Sequence, residues 1–279
     1  MVKKIVITDR ELAKVFLIPS ILILLLLDFY PILSVISVSL QNKGLFDQVS
    51  TFAAFKNYIS ISNDKYFLIS LKNSLIWTIS TTFFEVLFGT SIALLLNRDF
   101  KFRNLARSLL LVPYVIPAVV STLIWKYMFN DLVGLMNYIL KVLHISANPI
   151  TFLSSPILAM IVVISVNVWT YTPFVIISVL AALQGINPDL YSAADVDGAN
   201  KLQKFTNVIV PSIAPVLVIV TLLRTVWNFQ KFDIIYLMTK GGPLMSTTTI
   251  PIMIYNEAFG SFNIGRASSM AIVVFIILF

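Results

Sequence analysis

The sequence lacks cysteine, and its 279 residues include a single histidine, His144. Without thiols the chain has no disulfide framework, no thiolate nucleophile and no thiolate metal site. One imidazole excludes a metal site built from several histidines and a proton relay between two of them. No paired carboxylate motif replaces them. The sequence therefore predicts no catalytic residue and no bound metal, with His144 as a solvated side chain in a loop.

Phosphate-binding loops are missing as well. The chain holds neither the GxxxxGK[ST] pattern nor the GxGxxG pattern, whose glycines let the backbone approach a nucleotide phosphate. No repeat of about 20–50 residues is visible either. We therefore expect no nucleotide site and no cofactor on this chain itself.

Charge is scarce. Charged residues make up 12% of the sequence, about half the usual share, whereas hydrophobic residues make up 58% and the mean hydropathy is +0.91. This composition excludes a disordered chain, a coiled coil and nearly every soluble enzyme. The net charge of +7 comes from cations that flank apolar runs, which is how membrane proteins fix their orientation. The bilayer is the expected solvent.

Apolar runs long enough to cross a bilayer, which takes about 20 residues, recur along the chain. We predict an all-α integral membrane protein with one transmembrane domain over residues 1–279 and six spans, at about 15–40, 74–96, 108–129, 156–183, 208–232 and 267–279. The first run is too long for a signal peptide, and no clear cleavage site follows it. The last run is still apolar at Phe279, so we expect the natural chain to continue beyond it.

Cations near the ends of the spans indicate the orientation. Three segments that share one side of the membrane if six helices alternate carry Lys3, Lys4, Arg10 and Lys14, then Arg98, Lys101, Arg103 and Arg107, then Lys201 and Lys204. Cations on the opposite side are spread over a longer stretch. This modest bias predicts that the N-terminus is cytoplasmic.

The link between the fourth and fifth spans, residues 183–205, predicts a short helix, a break and a second helix. Asn187 can cap the first helix, Pro188 suits its first turn, and Asp189 carries a favourable charge there. Gly198 permits a sharp bend. Because a surface helix this short gains little stability alone, we expect it to dock into a partner.

This link resembles the EAA loop in permease subunits of ABC importers, to which a binding protein delivers the solute. The residues that match the family's pattern are Ala193, Ala194, Asp197, Gly198, Ala199, Phe205, Pro211 and Pro215. Ser192 stands where the family usually has glutamate, so an acidic contact is missing here.

Other motifs extend the resemblance over nearly the whole chain, to the maltose-type sugar permeases. The matching residues are 95–97, Arg107, Pro113, Pro117, Trp125, Phe129, Gly134, Asn137, Leu140, Trp169, Pro173, Phe174 and, in the longest motif, 232–243. The family implies pairing with a second, related permease, two cytoplasmic ATPase subunits that hold ATP and Mg²⁺, and an external binding protein that delivers a sugar. It also implies that a cytoplasmic coupling helix docks on the ATPase through Leu190, Ala193, Ala194, Asp197, Gly198 and Ala199.

Polar side chains inside the spans predict the substrate pathway, because they are costly in lipid and often mark a route. The candidates are Asn167, Trp169, Tyr171, Asn228, Gln230 and Lys231. By resemblance, residues 228–232 line the sugar site. Each of these groups could instead bond to neighbouring helices. Glu85 and Arg224 could pair within the bundle and serve assembly, or take part in transport.

Two other functions compete with a sugar permease. A secondary transporter or channel without an ATPase would need coupling-ion residues, for which Asp28 and Glu85 are thin support. A membrane-embedded enzyme would need a nucleophile or metal cluster, and the composition offers neither. The sequence names no particular sugar; we expect a neutral mono- or oligosaccharide.

Overall fold

A computed structural model describes residues 9–278, with side-chain positions from Val15 onward. Its elements in chain order are α1 (Asp9–Leu24), α2 (Tyr30–Ser39), β1 (Gln41–Asn42), β2 (Thr51–Phe52), α3 (Lys56–Ser62), α4 (Lys65–Leu96), α5 (Arg103–Val115), α6 (Ala118–Met128), α7 (Leu135–Val142), α8 (Pro156–Gln184), α9 (Pro188–Val196), α10 (Lys201–Lys204), α11 (Val210–Phe229), α12 (Asp233–Thr239), α13 (Ile250–Tyr255) and α14 (Ile264–Leu278). Single π-helical turns precede α2 and α11 and follow α13. The predicted cytoplasmic cations Lys3 and Lys4, and Phe279, lie outside the described residues.

Helices dominate because lipid offers no partner for backbone N–H and C=O groups, which a helix satisfies internally. Among the described residues, four continuous helices are long and apolar enough to cross a membrane: Val15–Ser39, Lys65–Leu96, Pro156–Gln184 and Lys201–Phe229. They coincide with the first, second, fourth and fifth predicted spans. The sixth prediction falls on α14, a shorter apolar helix.

The third predicted span, 108–129, is not one continuous helix. The chain forms α5 and α6, which meet at a bend of 92°. Ile116 lies at the break with an extended backbone, φ −68° and ψ 130°. Pro117 follows it, and a proline disfavours the helical conformation in the residue before it. The apolar run thus gave the right segment, and the proline that divides it was the signal for the bend.

The described chain divides into two compact units, one made of the residues up to 65 and from 254 onward, the other of residues 66–253. The single domain over 1–279 therefore stays a prediction. In the first unit α2 packs on α14, and the Ser269 hydroxyl donates to the Ser39 carbonyl at 2.9 Å. Arg266 of α14 forms ion pairs with Asp64 and Glu257.

In the second unit α8 is the central helix, since it packs against α5, α6, α11 and α12. Its contact with α4 is very close at Gly89, where an added Cβ would lie 2.5 Å from the Val175 Cβ. Small residues permit this approach of two backbones in membrane helices. The close packing brings the polar side chains of α4 within reach of those on α8 and α11.

Candidate functional site

A polar cluster lies inside the second unit, where α4, α8 and α11 meet. Glu85 of α4 is fully buried, and Arg224 of α11 is 3% exposed. Arg224 Nε donates to Glu85 Oε2 at 2.7 Å, and its Nη2 donates to Oε1 at 2.8 Å. This two-pronged geometry gives the strongest kind of charge-assisted hydrogen bonding. The structure thus pairs Glu85 and Arg224 within the bundle.

Asn228, one helical turn after Arg224, is surrounded by this cluster. Its Nδ2 donates to Glu85 Oε2 at 3.0 Å and to Thr82 Oγ1 at 3.1 Å. Its Oδ1 accepts from Arg224 Nη2 at 2.9 Å and from Asn167 Nδ2 at 3.1 Å. An asparagine amide offers two donors and one oxygen with two lone pairs. Asn228 therefore has no capacity left for a solute in this conformation.

Asn167 of α8 belongs to the same cluster and is also fully buried. Its Nδ2 donates to Glu85 Oε1 at 2.9 Å, in addition to the bond to Asn228. Its Oδ1 has no hydrogen-bond partner among the described residues. Two of the predicted pathway residues thus bond to neighbouring helices, and their role in the pathway stays a prediction.

Tyr171, one turn further along α8, lies close to two cations. The Arg224 guanidinium carbon is 4.7 Å from the centre of its ring, and Lys231 Nζ is 4.2 Å from it. Lys231 also donates to the Tyr171 hydroxyl and forms an ion pair with Asp233 at 3.2 Å. Asp233 belongs to the 232–243 motif but was not among the predicted pathway residues, although its position two residues after Lys231 was an available signal.

The remaining predicted pathway residues, Trp169 and Gln230, are the exposed ones. Trp169 is 38% exposed, packs edge-on against Trp125 at 5.3 Å, and lines an apolar cavity of about 1130 Å³ between α4, α5 and α8. Gln230 is exposed at the C-terminal end of α11. The structure brings Asn167, Tyr171, Asn228 and Lys231 into one connected set and leaves Trp169 and Gln230 beside it.

The link after α8 forms the predicted short helix, α9. The Asn187 side chain caps it by accepting from the Asp189 backbone N–H at 3.0 Å, and Pro188 occupies its first turn. Both features match the sequence-based prediction.

The end of α9 is closed by a glycine in the left-handed region, because Gly198 has φ +72°. Its N–H donates to the Asp195 carbonyl at 3.1 Å, and the Ala199 N–H donates to the Ala194 carbonyl at 2.9 Å. These two bonds form a Schellman motif, which usually needs glycine. The predicted bend at Gly198 is therefore present.

An exposed face remains on this short helix. Leu190 is 48% exposed and Val196 is 89% exposed, and Ala193 between them is exposed as well. On the other side, Tyr191 packs against the apolar cluster formed by α4, α8 and α11. One side of α9 is thus anchored to the bundle, and the other presents small and apolar side chains.

Residues 85–279 match the family described as binding-protein-dependent transport system inner membrane component. The chain belongs to this family. The matched segment begins at Glu85 and contains Arg224, Asn228, Asn167 and α9. This permease is therefore an all-α, multi-pass membrane protein of the ABC importer type.

Curated relatives agree over nearly full length. The permease is 32% identical over 272 residues to the trehalose/maltose transport system permease protein MalF of Thermococcus litoralis, covering 97% of this chain and 92% of the relative. It is 35% identical over 274 residues to the inner membrane ABC transporter permease protein YcjO of Escherichia coli, covering 98% and 92%. It is 32% identical to the trehalose transport system permease protein SugA of Mycobacterium tuberculosis, covering 96% and 85%.

Among solved structures, a bacterial ABC transporter involved in the import of the acidic polysaccharide alginate has a chain with the same fold. The TM-score is 0.83 at 24% identity, covering 96% of the permease and 91% of that chain. A second structure, of an alginate ABC transporter in complex with an alginate pentasaccharide-bound periplasmic protein, gives 0.81 at 22% identity. These likenesses support the fold.

Proposed function

We propose that this permease is one of two related membrane subunits of an ATP-driven sugar importer and that it contacts a cytoplasmic ATPase through α9. The observation that carries the proposal is the exposed face of α9, formed by Leu190, Ala193 and Val196. A helix of nine residues gains little stability alone, and here caps at both ends hold it with that face uncovered. An ATPase cleft is the partner that the family implies.

Coupling through α9 assigns roles to the predicted residues. Leu190, Ala193 and Ala194 would fill the cleft, because small side chains permit close approach. Asp197, Gly198 and Ala199 would fix the direction in which the chain returns to α11. Ser192 is exposed at the position where the family usually has glutamate, so the contact made there would be neutral.

The proposed orientation follows from the cations near the spans. Arg103 and Arg107 lie in α5, and Lys201 and Lys204 are the first and last residues of α10, which follows α9 in the chain. Cytoplasmic loops carry an excess of such residues. A cytoplasmic N-terminus therefore places α9 on the side where ATP is available, with an external binding protein on the opposite side.

A neutral sugar is the solute that the charges of the cluster favour. Each of the two cations near Tyr171 faces a carboxylate, Arg224 facing Glu85 and Lys231 facing Asp233. An anionic solute would have to compete with those carboxylates. Tyr171 and Trp169 suit the apolar faces of a sugar ring, and the exposed Gln230 suits its hydroxyls.

Transport would then follow alternating access. Closure of the ATPase subunits around ATP and Mg²⁺ would push on α9, and the permease pair would rock around a solute site near the midplane. In this scheme ATP hydrolysis takes place on the separate ATPase subunits. The permease contributes the pathway and the docking surface.

The test is to express the permease with its co-encoded partner genes, purify it and reconstitute it in vesicles. Maltose, trehalose and an acidic uronate disaccharide serve as solutes. We expect a co-purifying ATPase whose hydrolysis rises with binding protein loaded with a neutral sugar. Uptake that persists without any ATPase would instead establish a secondary transporter, and stimulation by the uronate alone would overturn the neutral solute.

A further inference from the structure

The Glu85 carboxylate accepts four hydrogen bonds, two on each oxygen. Oε1 accepts from Arg224 and Asn167, and Oε2 accepts from Arg224 and Asn228. The donors come from α8 and α11, whereas Glu85 is on α4. A carboxylate oxygen has two lone pairs, so its capacity is used in full. The predicted pathway residues Asn167 and Asn228 are thereby committed to Glu85.

Arg224 connects Glu85 to an aromatic side chain, Tyr171. Its guanidinium is planar, and the two-pronged bond to Glu85 fixes the orientation of that plane. The guanidinium carbon then lies 4.7 Å from the centre of the Tyr171 ring and 5.8 Å from that of Trp227. Without the carboxylate, Arg224 would be an unpaired buried cation and would turn towards another acceptor or towards water.

Tyr171 is thus held at two points. Arg224 lies over its ring, and Lys231, itself paired with Asp233, donates to its hydroxyl. A tyrosine that must stack on a sugar ring needs a defined ring plane, because stacking depends on the angle and distance between the two surfaces. Glu85 supplies one of these two supports from a different helix.

We propose that Glu85 is a positioning residue for the solute pathway: through Arg224 it fixes the ring of Tyr171, with Asn167 and Asn228 holding the carboxylate in place. This inference rests on the proposed function, which assigns Tyr171 to the pathway. In this arrangement Asn167 and Asn228 hold the Glu85 carboxylate and do not contact the solute.

The main test uses the paired variant Glu85→Leu/Arg224→Met, because removing both charges of a buried ion pair leaves neither one uncompensated. It is compared with Tyr171→Leu and with the triple variant in the reconstituted complex. The probe is whichever of maltose and trehalose the wild-type complex transports, and the readout is solute moved per ATP hydrolysed. Asp99→Asn, at the exposed Arg103 ion pair, serves as the control.

We expect the paired variant and Tyr171→Leu each to lower solute per ATP at least fivefold. The triple variant should fall no more than twofold below Tyr171→Leu, because residues acting through one another are not additive. Asp99→Asn should keep the wild-type ratio. If the paired variant fails to assemble, Glu85→Gln replaces it in the same comparison.

Three results would overturn the inference, and a fourth would refute the proposed function on which it rests. A paired variant with the wild-type ratio, even at reduced yield of complex, would make Glu85 a structural residue only. A triple variant whose loss is the product of the two separate losses would show that Glu85 does not act through Tyr171. If Tyr171→Leu itself keeps the wild-type ratio, the assignment of Tyr171 to the pathway fails, and a wild-type complex that moves no sugar would refute the proposed function as a whole.

Discussion

The buried polar cluster and the α9 link differ in where their side chains find contacts. Around Glu85, polar groups from three helices satisfy one another inside the bundle, with Asn167 Oδ1 as the exception among the described residues. On α9, the backbone ends are satisfied by Asn187 and by the turn at Gly198, while the apolar face stays uncovered. The first region satisfies most of its polar groups within the subunit, and the second leaves an apolar face exposed for the proposed ATPase.

This difference predicts how substitutions divide. Changes in the buried cluster should affect the stability of the permease itself, because they leave polar groups without partners in a dry environment. Changes on the exposed face of α9 should leave that stability intact and alter assembly with the ATPase. The following variants are ordered by the expected loss in stability of the permease.

Arg224→Met should have the largest effect. It leaves the buried Glu85 carboxylate without its counter-charge, and breaking a buried pair in this way costs about 3–5 kcal/mol. We expect a clear drop in the thermal unfolding midpoint of the purified complex and a reduced yield. Arg103→Met, which removes a pair with the fully exposed Asp99, is the matched control and should unfold like the wild type. Equal unfolding midpoints for Arg224→Met and Arg103→Met would contradict the expectation that the buried ion pair stabilises the permease more than the exposed one.

Asn228→Leu should have a smaller but measurable effect. The substitution removes two donors and an acceptor, so that Glu85, Thr82, Arg224 and Asn167 each lose a partner. A buried group left unsatisfied costs about 1–3 kcal/mol. The comparison is Gln230→Leu, two residues away and exposed, which we expect to reduce uptake without lowering the unfolding midpoint. If Gln230→Leu lowered the unfolding midpoint and Asn228→Leu did not, Gln230 rather than Asn228 would be the residue that stabilises the bundle.

The sequence predicted these two regions unequally, for a physical reason. The cap at Asn187 and the bend at Gly198 depend on residues within one helical turn, so local chemistry was sufficient. A lone charge in lipid is costly, so Glu85 and Arg224 each needed a partner of opposite charge. Their pairing with each other could therefore be considered from the sequence. The sequence could not predict that all hydrogen-bonding groups of Asn228 are used, because one of its partners is Glu85, which lies 143 residues earlier and on another helix. The bend at Pro117 was marked locally, but the apolar run around it dominated the interpretation.

Gly198→Val changes the turn that ends α9. Nothing lies within 4 Å of an added Cβ there, so the cost comes from the backbone at φ +72°. That cost is about 1–2 kcal/mol for a residue with a side chain. We expect a modestly lower midpoint and a lower ratio of solute moved to ATP hydrolysed, because the direction of the chain after α9 changes. An unaltered ratio in the reconstituted complex would remove Gly198 from the coupling mechanism.

Ala193→Trp should have the smallest effect on the permease and a strong one on the complex. Ala193 is exposed on the uncovered face of α9, so the indole has room in the isolated subunit and the unfolding midpoint should stay at the wild-type value. In the proposed ATPase cleft the same bulk has no room, and overpacking a close contact is destabilising. We therefore expect the ATPase to be lost during purification while the permease itself is recovered in normal amounts. Lys101→Trp, an equally bulky change in the exposed link between α4 and α5, is the control and should retain the ATPase. An Ala193→Trp complex that keeps its ATPase and transports normally would show that the exposed face of α9 is not the docking surface.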